Sequence, residues 1–83
     1  MRKGEPPKCF QFRSEVRATM RANDILLHVN NSCKYAVDCL FRDNVSEKER
    51  RFAHVAYQAE SYVLAEEVPT KRVDIDAECT WKP

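Results

Sequence analysis

Residues 8–68 contain neither glycine nor proline; the single Gly is at position 4, and Pro occurs only at 6, 7, 69 and 83. Tight turns lean on these two residues, because Gly tolerates positive φ and Pro presets a turn-compatible φ. Their absence from the interior predicts helices joined by polar breaks, not a many-stranded sheet. At 83 residues the chain is expected to form one domain, 1–83, with a loose basic arm over 1–11 and an extended acidic tail over 69–83.

The spacing of apolar residues fits that expectation, giving an all-α chain with three helices at about 12–29, 32–42 and 46–67. In the first, Phe12, Val16, Met20 and Leu27 form one stripe and Ala18, Ala22, Ile25 and Val29 a second. Arg13, Arg17 and Arg21 fill the remaining face. Two apolar stripes need two neighbours, which predicts a helical homodimer. Asn30-Asn31-Ser32 is a break, and Cys33, Val37, Leu40 and Phe41 form the buried side of the second helix. Ser46 and Glu49 make a capping box for the third, whose stripe is Phe52, Val55, Ala56, Ala59, Tyr62 and Val63. Beyond Pro69 the pattern changes. Val73, Ile75, Ala77, Cys79 and Trp81 alternate with Asp74, Asp76, Glu78, Thr80 and Lys82, the period of an extended segment with one buried face. It is expected to pair with the short alternating piece at 8–13 or to lie as an arm across a second subunit.

The net charge of +1 conceals an asymmetry. Residues 1–42 carry eight Lys/Arg against four Asp/Glu, and residues 43–83 carry six against nine. No apolar run reaches membrane-spanning length, and MRKGEPPK lacks the apolar segment of a secretory signal. The expected location is therefore the cytoplasm, a bacterial host's in the family reading below, with no membrane contact and with reduced thiols. Cys9, Cys33, Cys39 and Cys79, with His28 and His54, include no C-x-x-C pair, so free buried thiols are expected, with no metal and no cofactor. There is no Gly-rich phosphate loop, nucleophile elbow or H-E-x-x-H pair, and no catalytic residue is assigned.

Phe41, Asp43 and Val45, followed without a gap by Glu49-Arg50, His54, Tyr57 and Glu60, resemble the C-terminal part of Gam, the host-nuclease inhibitor family of lambda-type phages. Val55 and Ser61 stand as conservative replacements, Val73-Asp74-Ile75-Asp76 and Glu78 match the family's ending, and weaker similarity runs back through Lys34 to about Asp24. The resemblance covers roughly the last two-thirds of the chain. It implies an all-helical dimer that binds the host RecBCD helicase-nuclease where duplex DNA enters, imitating DNA and protecting linear ends. Residues 1–23 have no counterpart, and a basic segment stands where the family has a long acidic helix. The chain also continues past the family's ending with Cys79-Thr80-Trp81-Lys82-Pro83.

On that reading the partner-binding residues are Glu49, His54, Tyr57, Glu60, Glu67, Asp74, Asp76 and Glu78. Glu49, Glu60 and Glu67 would form a carboxylate row along the third helix, much as phosphates do along a duplex. The ordinary alternative is a solvated helix edge. A different function class is a small dimeric DNA-binding regulator that grips phosphate with Arg13, Arg17 and Arg21.

Overall fold

The computed structural model describes residues 2–82, with side chains from residue 4 onward. Those residues form seven strands and no helix: β1 Arg2–Gly4, β2 Phe10–Ala18, β3 Asn23–Asn31, β4 Val37–Asp43, β5 Glu49–His54, β6 Gln58–Val68 and β7 Ile75–Trp81. A four-stranded antiparallel sheet, in the order β1-β7-β4-β5, packs on a three-stranded antiparallel sheet, β2-β3-β6. The all-α expectation is therefore overturned in each of its three spans. Residues 12–29 are most of a hairpin, 32–42 lead into a central strand, and 46–67 are two strands that belong to different sheets.

The reason lies in period two. Along β2, Phe10 and Phe12 face inward while Gln11, Arg13, Glu15 and Arg17 face outward. Along β4, Val37, Cys39, Phe41 and Asp43 are buried and alternate with Asp38, Leu40 and Arg42. In β3 the alternation is hidden, because Leu26, on the outward face, is buried along with Ile25 and Leu27. A run of this kind reads equally well as helix or strand.

Turns are made without glycine. The β2–β3 hairpin closes on Thr19: its N–H donates to the Ala22 carbonyl at 2.8 Å, and its hydroxyl accepts from the Ala22 N–H at 3.2 Å. After β4, Asp43 accepts from the backbone N–H of Val45 (3.0 Å) and Ser46 (2.6 Å) and from the Ser46 hydroxyl (2.7 Å). Burial pushes the Asp43 carboxyl up, but these hydrogen bonds, Ser46's foremost, outweigh it and hold its pKa below 3.8. Ser46, read above as a helix cap, is thus part of a β-turn region capped by Asp43. Elsewhere non-glycine residues take the left-handed conformation: Glu47 at φ 57°, Tyr57 at 59° and Glu67 at 51°. Each costs on the order of 1–2 kcal/mol, which the rest of the fold must offset.

The core joins Phe10, Ile25, Leu27 and Val29 of the smaller sheet to Val37, Cys39, Phe41 and Cys79 of the larger. Phe12 meets Phe41 edge-on with ring centres 5.3 Å apart, and Phe52 stacks on Tyr62 at 3.9 Å. All four cysteines are in disulfides, which corrects the free-thiol expectation. Cys9–Cys33 ties the approach to β2 to the segment after β3, and Cys39–Cys79 bridges directly opposed residues of β4 and β7. With sequence separations of 24 and 40 residues, loop-closure entropy makes each worth about 3–4 kcal/mol. That is substantial for a small domain. The alternating tail does form a strand over Ile75–Trp81, but it pairs with β4 and β1 and not with residues 8–13.

Candidate binding surface

Three consecutive residues of β6 serve two faces. Ser61 points outward, while Glu60 and Tyr62 point inward, as the strand period requires. Ser61 is opposite His28 of β3, which is itself opposite Arg13 of β2. His28 Nδ1 lies 2.7 Å from the Ser61 hydroxyl, and Nε2 lies 2.6 Å from Glu15 Oε1. With a neutral ring, Nε2–H donates to Glu15 and Nδ1 accepts from the hydroxyl. The hydrogen bond from His28 lowers the Glu15 pKa most; the charges of Arg17, His28 and Arg13 add to it against a smaller opposing effect of burial. A side-chain chain thus crosses all three strands.

Beside this chain lies a depression of about 580 Å³, lined by Gln11, Arg13, His28, Asn30, Ala59 and Ser61 and also by Phe12, Val29 and Glu60, whose carboxylate is held by the Tyr62 hydroxyl. The amides of Gln11 and Asn30 and the guanidinium of Arg13 supply donors to it, while the Ser61 proton goes to His28 and Glu15 is engaged by His28 and Arg17. The order carboxylate–imidazole–hydroxyl is also that of a hydrolytic nucleophile. Acyl transfer further needs donors aimed at a developing oxyanion and a site shielded from water. Here Ser61 is exposed in mid-strand, and the Glu15 side chain keeps a third of its surface in water.

The inward face carries a second set of the same groups. Tyr62 donates to Glu60 and lies 2.9 Å from Nε2 of His54, a fully buried side chain. Burial holds the His54 pKa below its ordinary value, against smaller upward pulls from Glu60, Asp38 and the Val37 backbone. Burial and Glu60 push the Tyr62 hydroxyl well above the ordinary phenol value.

The residues assigned from sequence are scattered by the strands. His54 is in the core, not on an outward surface, and Glu60 is half-buried against Tyr62. Tyr57 is exposed at the β5–β6 turn. Glu67 lies near the end of β6, its N–H donating to Asp24 at 3.1 Å. Glu49, Glu60 and Glu67 therefore form no row, because no helix carries them. Asp74 precedes β7, its backbone paired with Asn44. Asp76 and Glu78 share the outer face of the four-stranded sheet with Glu49, but Arg42 separates Asp76 from Glu49 and is ion-paired to Glu49. Arg13 and Arg17 lie on the outward face of β2, and Arg21 is in the hairpin turn. The sequence reading assigned no site role to Gln11, Glu15, Asn30 or Ser61; continuing the alternation of residues 8–13 to residue 17 adds Glu15 to the face that Gln11 shares with Arg13.

No family model matches the chain, and neither a curated protein nor a solved structure matches it. Among the described residues no helix is long and apolar enough to cross a membrane.

Proposed function

We propose that this chain is a non-enzymatic binding protein that works in an oxidising compartment and meets a partner protein through the outer face of β2, β3 and β6. The observation that carries the reading is His28, fixed on both sides by Glu15 and Ser61 beside a depression rich in donors. Gln11, Arg13 and Asn30 suit an acidic side chain of the partner, since guanidinium and amide groups pair with carboxylates. The two disulfides support the compartment, because such bonds persist where thiols are not kept reduced. The test is a titration of isotope-labelled protein with short peptides of graded acidic content. Acid-bearing peptides should shift the amide signals of Gln11, Arg13, Asn30 and Ser61; shifts confined to the four-stranded sheet, or none, would remove the reading.

A second reading keeps RecBCD as the partner. It is favoured by the placement of Glu49, Asp76 and Glu78 on one sheet face and by the similarity to Gam over Phe41–Glu78. It ranks second because the helical rod is gone and the disulfides sit poorly with a cytoplasmic nuclease. Protection of linear duplex from purified RecBCD, lost on combining Glu49→Gln, Asp76→Asn and Glu78→Gln, is its expected signature. Unhindered digestion would eliminate it. A duplex mobility shift abolished by Arg13→Gln, Arg17→Gln and Arg21→Gln would instead favour the DNA-binding regulator.

A further inference from the structure

We infer that two copies of this chain join through the free edge of β2, merging their three-stranded sheets into one of six strands. The two edges of the smaller sheet are built differently. At β6, the register shifts twice against β3, and the Arg50 guanidinium donates to the carbonyls of Val63 (2.9 Å) and Leu64 (2.5 Å). Bulges and a capping side chain are means of stopping further pairing. At β2, nine residues run in regular register against β3; on the other side the Phe10 N–H donates to the Pro7 carbonyl (2.9 Å), and the strand beyond it is an edge of the sheet. Val16, on the inward face of that edge, remains 36% exposed because nothing flanks it.

The side chains of β2 and the length of the overlap together select one register: an axis through Val16 also sets Glu15 against the partner's Arg17, but it overlaps only residues 14–18. In an antiparallel edge pair, opposed residues share a face. A two-fold axis through Ser14, the middle of Phe10–Ala18, overlaps the whole strand. It sets each Arg13 opposite the partner's Glu15 and each Phe12 opposite the partner's Val16. An axis through Arg13 brings the two Arg13 side chains together. An axis through Glu15 brings the two carboxylates together and sets each Arg13 against the partner's Arg17. A row of like charges would simply block this edge, whereas alternating Arg13, Glu15 and Arg17 is self-complementary in the Ser14-centred register. Gln11 and Arg13, which line the depression, then flank the seam, so the two depressions sit side by side on one continuous face.

Sedimentation of the oxidised protein from micromolar to near-millimolar concentration is the test. The wild type should reach twice the 9.7 kDa of one chain, with an affinity that weakens as salt rises. Arg13→Glu alone and Glu15→Arg alone should each raise Kd by roughly tenfold or more, because like charges then face each other. Mixed in equal amounts, these two variants should recover the dimer, since every Glu then meets an Arg; the double exchange in one chain should recover it as well. A wild type that stays monomeric throughout, single variants that dimerise like wild type, or a mixture no more associated than its components would each overturn the proposal.

Discussion

Glu15–His28–Ser61 and Glu60–Tyr62–His54 contain the same kinds of group, a carboxylate, an imidazole and a hydroxyl; the first set lies on the outer face of the three-stranded sheet and the second between the two sheets, where His54 of β5 meets β6. The outward set lies in partial contact with water, where hydrogen bonds to water compete with those within the protein. The inward set surrounds a fully buried imidazole, where losing a partner leaves a polar group stranded. Similar groups are therefore locked into the core in one place and left in reach of water in the other.

The comparison is broken most strongly by deleting the rings. His54→Ala should cost about 2–4 kcal/mol in urea unfolding, since it opens a cavity beside Phe10, Phe41 and Phe52 and takes from the Tyr62 hydroxyl one of its two partners, leaving only Glu60. His28→Ala should cost less than about 1 kcal/mol, because the half-buried ring lies on the outer face, where water can replace its partners. Asn31 sharpens the contrast. Its side chain donates to the carbonyls of Tyr35, His54 and Val55 and accepts from the Cys33 N–H. Asn31→Ala should accordingly cost about 2–3 kcal/mol, measured in the same way.

A pH series separates the two networks next. Because burial lowers the His54 pKa, the unfolded chain takes up a proton near pH 6.5 that the folded chain refuses. Stability should be complete above pH 6.5 and decline as pH falls below it, until the folded imidazole itself titrates. His54→Gln should flatten that limb. Glu15 acts at lower pH: its lowered pKa contributes stability that is present above 4.5 and lost as pH falls through the folded value. Glu15→Gln should remove that component and leave the His54 limb in place. Ser61→Ala should have the smallest effect, within about 0.5 kcal/mol on stability. It should still weaken any ligand held at the depression.

The period of residues 73–81 was legible in the sequence because Ile75, Ala77, Cys79 and Trp81 alternate with acids and a threonine. The same period in β2 and β4 was obscured by residues that fit helical stripes as well. Phe12 and Val16, four apart, lie on one face under either geometry, as do Arg13 and Arg17. The missing glycines misled further, because the turns are made by Thr19, by Asp43 with Ser46, and by Tyr57 in a conformation usually left to glycine. As for the candidate surface, Arg13 was singled out from the sequence. Its neighbours were not, because Asn30, Ser61 and Gln11 converge only once β2, β3 and β6 are laid side by side.

The two disulfides divide the covalent chain into consecutive rings, 9–33 and 39–79, joined by the short link 34–38. A protease that nicks the exposed stretch around Lys71 and Arg72 therefore opens a ring without releasing a fragment. The nicked protein should run as one piece until reductant is added. A cut at Lys34 should instead split the chain between the rings, leaving β1 to β3 on one piece and β4 to β7 on the other, with only noncovalent packing to hold them together.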